Sequence, residues 1–286
     1  MDFIWHITLI TFIAGVGGTG AGGVIGSLFR RSSNRVISLL LAATSGVMIA
    51  IVCFELLEES VAAGKQLFDP MGVLLTAASV FAGVFVVLLL NRIIDKKTAA
   101  QVAHTASAEH PLVHDDIDEL HHVDHYNEHA RQGAAKKELW TAGVVIAFAI
   151  ALHNIPEGMS IGASFAIDSS DAAMAALMLA VLIGLHNIPE GMAVTVPLVA
   201  GGMGRAKAVL LTACSGLPMV LGAWLGLWLG DIGPLGLCCS LGFASGAMLY
   251  VVFGEIIPQA ILMYRSRVPA ILVVVGMLVG MCLIYL

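Results

Sequence analysis

Apolar positions gather into eight runs along the chain, at about 4–28, 36–62, 71–94, 139–165, 172–200, 205–229, 233–261 and 268–286. Short polar stretches separate most of them, and one long polar interval follows the third. A helix needs roughly 20 mainly apolar residues to cross a hydrocarbon core of about 30 Å. The pattern therefore predicts eight membrane-spanning helices, an all-α polytopic fold, and a single transmembrane domain over 1–286. Several runs are longer than the minimum, which implies tilt or extension past the bilayer. The first run is not expected to be a cleavable signal, because it opens MDFIWHITLI with an acid and ends at Arg30 and Arg31.

Composition agrees with this reading. The chain is 58% hydrophobic and 12% charged, where soluble proteins carry about a quarter charged residues. Positive side chains accumulate on the cytoplasmic side of membrane proteins. With eight spans and an external N-terminus, every Lys and Arg except Lys65 falls in a cytoplasmic loop. We therefore expect a multi-pass protein of the cell membrane with both termini extracytoplasmic. The five cysteines lie in or near the runs without a CxxC spacing, as apolar packing residues do. No nucleic-acid partner is expected; the partners implied are the bilayer and metal ions.

Two repeats set the architecture. LHNIPEG occurs at 152–158 and again at 185–191. LAATSGVMIAIVCFELL at 41–57 aligns with LGFASGAMLYVVFGEII at 241–257, matching Ser45 with Ser245, Gly46 with Gly246, Met48 with Met248 and Glu55 with Glu255. The members of each pair run in opposite directions through the membrane. Spans 1–3 are then related to spans 6–8 by a pseudo-two-fold axis in the membrane plane, with spans 4 and 5 exchanging across it. Such inverted repeats, with substrate sites near the midplane, are common in secondary transporters.

The heptapeptide carries the chemistry. On a helix, His153 and Glu157 share a face, with Asn154 rotated about 100° from His153; His186, Glu190 and Asn187 repeat the arrangement. Pro156 and Pro189 each leave a carbonyl one turn earlier without its helical partner, which is costly in lipid unless a polar group or ion takes it up. Burying two carboxylates at this depth costs several kcal/mol each, so a cation must offset them. The two-fold gathers His153, Glu157, His186 and Glu190 into two neutral nitrogens and two negative oxygens, which neutralise a divalent ion. Imidazole with carboxylate suits Zn²⁺, Fe²⁺, Mn²⁺ or Co²⁺.

Other polar positions suggest a route. Glu55 is expected toward the external mouth and Glu255 toward the cytoplasmic exit, with Met48 and Met248 beside them. Glu58 and Glu59, farther out on span 2, could gather cations. The interval 96–137 is read as a cytoplasmic loop and holds seven of the ten histidines. His121, His125 and His129 recur every four residues with His122 alongside, a composition that binds metal.

HNIPEG on both spans 4 and 5, the His-rich loop between spans 3 and 4, and SG-x-M-x₆-E on span 2 resemble the ZIP family of divalent-metal transporters, its bacterial GufA-like branch above all. The resemblance implies an eight-helix 3+2+3 bundle, with a homodimer as its assembly. It implies transport of Zn²⁺ or related ions, including Fe²⁺, Mn²⁺, Co²⁺ and Cd²⁺, into the cytoplasm by alternating access, with no chemical turnover and no cofactor. It makes His153, Glu157, His186 and Glu190 the primary metal site, and Asn154 and Asn187 a second site bridged by the same glutamates. The chain departs from the pattern at SGLPMVLG (215–222), where Met219 stands in place of a glutamate in many bacterial relatives, so one tightly held metal is expected. The competing readings are an intramembrane zinc hydrolase and a membrane metal sensor. The hydrolase lacks HExxH, and a symmetric site leaves it no distinct base.

Overall fold

The computed structural model describes residues 2–28, 34–98, 136–167 and 170–285, and among them every regular element is helical. Eight long helices coincide with the eight apolar runs to within a few residues. They are α1 (2–28), α2 (34–67), α3 (Gly72–Thr98), α4 (Lys136–Phe165), α5 (Ser170–Ala200), α6 (205–231), α7 (234–263) and α8 (Val268–Tyr285). All but α4 contain a stretch long and apolar enough to cross a membrane among the described residues, and α4 itself is a 30-residue helix. The chain is a polytopic helical membrane protein. Residues 99–135, with His121, His122, His125 and His129, lie outside the described residues, as do Arg30 and Arg31.

Four helices depart from regular α geometry. Turns of π-helix interrupt α1 at Ile13–Gly17, α2 at Val52–Leu56 and α7 at Val252–Ile256. The helix α6 breaks after Cys214 and restarts at Pro218, whose fixed φ suits a first helical turn. The π turns of α2 and α7 lie 200 positions apart and enclose Glu55 and Glu255.

The packing repeats at the same displacement. The α-carbon of Gly22 on α1 rests on the carbonyl of Ile188 on α5, and that of Gly222 on α6 rests on the carbonyl of Ile155 on α4. Gly46 on α2 meets Val273 on α8, and Gly246 on α7 meets Val80 on α3. Small residues permit this backbone approach where apolar lipid supplies no drive for helices to associate. Hydroxyls complete the correspondence: Ser38 on α2 donates to the carbonyl of Ala260 on α7 at 2.5 Å, and Ser60 on α2 donates to that of Cys238 on α7 at 2.8 Å. The start of each helix is thus bonded to the end of the other.

Two groups of helices result. In one, α1 packs on α5, α4 on α6, and α4 on α5; in the other, α2 packs on α8, α3 on α7, and α2 on α7. They meet where α5 crosses α2 and α4 crosses α7. The principal buried cluster lies along this seam and includes Met48, Ile183, Met219, Leu241 and Met248.

Candidate metal centre

The two HNIPEG segments lie where α4 and α5 cross, and all six of their His, Asn and Glu side chains are buried. Both helices continue through their prolines. Glu157, His186 and Glu190 each offer a ligand atom, and these atoms lie within 4.8 Å of one another. His186 Nε2 stands 3.1 Å from Glu190 Oε1, one turn along the same helix.

His153 is turned elsewhere. Its Nε2 lies 3.1 Å from Oε2 of Glu255, across the seam on α7, without the alignment of a hydrogen bond. Glu255 in turn accepts a hydrogen bond at Oε1 from the side-chain amide of Asn91 on α3. The structure therefore brings together three of the four residues assigned by symmetry and sets the fourth against a glutamate assigned to the exit.

The asparagines are oriented by their amide nitrogens. Asn154 Nδ2 donates to the carbonyls of Ile150 and Ser215, at 2.9 and 3.3 Å, and Asn187 Nδ2 donates to that of Ala14 at 3.1 Å. Ala14 lies in the π turn of α1 and Ser215 in the break of α6, where the helical ladder is disturbed, while Ile150 lies one turn earlier on α4. The oxygens Asn154 Oδ1 and Asn187 Oδ1 are left buried without a partner.

This is general across the motif. Seven buried side-chain polar atoms among the described residues lack a hydrogen bond; one belongs to Ser240, and the others are His153 Nε2, Asn154 Oδ1, Glu157 Oε2, His186 Nδ1, Asn187 Oδ1 and Glu190 Oε2. Buried polar groups are almost always hydrogen-bonded, and leaving one unsatisfied costs about 1–3 kcal/mol. Concentrating six such atoms on two copies of one motif is the mark of a ligand-binding site. The donor set, imidazole nitrogen with carboxylate and amide oxygen, matches a borderline divalent cation.

The remaining predicted residues divide. Glu55 is half-buried within its π turn and, with Glu58, Glu59, Met174, Met178 and Ile284, lines a cavity of about 430 Å³. Met48 and Met248 are each 2% exposed and belong to the packed seam. Met219 is fully buried in the same cluster, one turn beyond Ser215. Asn91 is the contributor that sequence reading passed over. Its signal was an amide within LLLNRII, close to the end of an apolar run.

Comparison with known proteins adds to this geometry. A sequence model described as ZIP Zinc transporter matches residues 2–286. The chain is 31% identical over 264 residues to the zinc transporter ZupT of Chlorobium chlorochromatii, covering 91% of this chain and 89% of that one. It is 32% identical over 271 residues to ZupT of Campylobacter jejuni, covering 90% and 88%. With the zinc transporter GufA of Myxococcus xanthus it shares 35% identity over 132 residues, 46% of this chain and 50% of the other.

Proposed function

Because the chain belongs to the ZIP zinc transporter family, we propose that its cargo is Zn²⁺ or a closely related divalent ion, carried across the cell membrane into the cytoplasm through the HNIPEG centre. The observation that carries this reading is the set of six buried, unpartnered donor atoms on the two motifs. A cation entering there offers the clustered carboxylate and imidazole atoms of Glu157, His186 and Glu190 a partner that the protein does not.

The binding step follows from charge. Glu157 and Glu190 supply two negative oxygens that match a divalent ion and offset its lost hydration, and His186 adds a neutral nitrogen. His153 joins the set by leaving Glu255. Asn154 and Asn187 supply neutral oxygens, held by the bonds that tie their amide nitrogens to backbone carbonyls. A second ion on those oxygens would bring four positive charges against two negative ones, a severe imbalance at low dielectric. With Met219 adding no charge, one ion is held tightly.

Transport by alternating access suits a bundle whose two helix groups are each tied internally and meet along a seam at the site. In this reading both termini lie outside and 96–137 inside, where the loop histidines His121, His122, His125 and His129 act as a metal-responsive element. The protein works as a homodimer and turns over no chemical bond. Radiometal flux into proteoliposomes, measured beside peptide cleavage by the same preparation, tests the reading. We expect saturable zinc entry without cleavage; cleavage without entry would favour the hydrolase, and binding without entry the sensor.

A further inference from the structure

The two-fold correspondence pairs His153 with His186 and Glu255 with Glu55, yet the two histidines are held differently. His153 Nε2 lies 3.1 Å from Glu255 Oε2 across the seam, whereas His186 Nε2 lies 3.1 Å from Glu190 Oε1 of its own helix. The contact that symmetry sets opposite His153–Glu255 is His186–Glu55, and among the described residues no ion pair joins those two. Around Glu55 there is instead a cavity of about 430 Å³. In a protein built from inverted repeats, exchanging the conformations of the two halves generates the state that faces the other side. Exchange turns the present arrangement into its two-fold counterpart, with His186 on Glu55 and His153 on Glu157.

We propose that Glu255 and Glu55 hold the two motif histidines alternately, Glu255 taking His153 in the state described here and Glu55 taking His186 in the oppositely facing state. This rests on the alternating-access reading above. Each hold withdraws one histidine from the metal set, so the complete four-ligand set forms only between the two states. An ion is therefore bound most completely in transit and is released as either histidine is recaptured.

The two holds are unequal. Asn91 donates to Glu255 and steadies it against His153. The correspondence that pairs Gly83 with Gly276 and Val80 with Val273 pairs Asn91 with Ile284, and Ile284 lines the cavity beside Glu55. An alkyl side chain donates no hydrogen bond, so Glu55 lacks that support. Asn91 thus acts as a positioning residue that biases the resting protein toward the state described here.

Two cysteine pairs test the exchange, each in a chain whose five native cysteines are replaced by alanine: His153→Cys with Glu255→Cys, and His186→Cys with Glu55→Cys. In proteoliposomes treated with copper phenanthroline, the first pair should cross-link quickly. The second should accumulate more slowly, as trapping drains a minor state. No cross-link in the second pair would overturn the proposal. Independently, Glu255→Gln should lower maleimide labelling of Ala175→Cys, at the cavity, by about fivefold, whereas Glu55→Gln should not lower it. A fall in both or in neither would overturn it too. Zinc flux through the unmodified chain separates this from the transport reading. Flux with only the first cross-link defeats the alternation alone, and both cross-links without flux defeat the transport reading alone.

Discussion

The α-carbon of Gly158 on α4 rests against the backbone carbonyl of Met219 on α6, leaving no room for a methyl group. Gly191 on α5 meets the carbonyl of Thr19 on α1 in the same way. Gly158→Ala and Gly191→Ala should each destabilise the bundle by about 1–3 kcal/mol through overpacking. Thermal unfolding in detergent measures this. Gly204→Ala, where nothing lies within 4 Å of the added carbon, meets no overpacking and should move the transition less, by no more than the loss of a glycine N-cap.

Glu157→Ala and Glu190→Ala should each abolish metal uptake while the protein still inserts and purifies as a single species. Each removes one of two charges facing the ion. Radiometal flux at matched protein amounts is the measurement, and wild-type flux in either variant would defeat the site assignment. Metal affinity should also fall as pH is lowered, because these ligands must be deprotonated to hold an ion. Equilibrium binding across a pH series checks that sign.

A glutamate at position 219 would be buried in an apolar cluster. Met219→Glu should therefore be less stable than the parent in chelator and regain stability as zinc is added, since a ligand bound only by the folded state stabilises it. The same variant should raise bound metal from one equivalent per chain toward two. Unchanged stoichiometry, by elemental analysis after dilution, would show that this position does not limit the site.

The spans were legible because an apolar run of membrane length has few other readings, and the six motif residues because a histidine and a glutamate four apart fall on one helical face. The correspondence of α2 with α7 was legible because Leu41, Ser45, Gly46, Met48, Val52 and Glu55 each recur 200 positions on. The partner of His153 was not. Choosing Glu255 over Glu157 depends on how far α4 is rotated against α7, which the spacing within either helix does not encode. The π turns were equally hidden, since VCFEL and VFGEI carry nothing that distinguishes them from regular helix. Asn91 was missed because one amide near the end of a span reads as an ordinary interfacial residue until the helix beside it is known.

Ser38→Ala and Ser60→Ala each remove one of the two hydroxyls that bond α2 to α7. Each should lower stability by about 1 kcal/mol and leave metal binding intact, because both lie away from the motif. Chemical denaturation with binding measured on the same samples would show the separation.

Impermeant maleimide should fail to label a cysteine introduced at position 120 in intact cells and should label it in inverted vesicles, as a cytoplasmic loop requires. Deleting 104–129 should preserve flux and alter its response to metal on the loop side. Loss of flux in a folded deletion variant would contradict a regulatory role.

Each π turn wraps more residues than the α turn it replaces, so α2 and α7 each carry the equivalent of an inserted position beside their glutamates. Removing one residue from 52–56 would let α2 close to regular helix with Ser60 and the residues beyond it kept near their present phase, and would remove the widened turn that holds Glu55. The same loss in 252–256 would remove the widened turn around Glu255. Substitutions within these turns keep the frame, whereas a one-residue deletion in a single half puts the two halves out of step. Losing one turn alone would set its glutamate on a regular helix while the other stays on a widened one, so the two halves would no longer correspond.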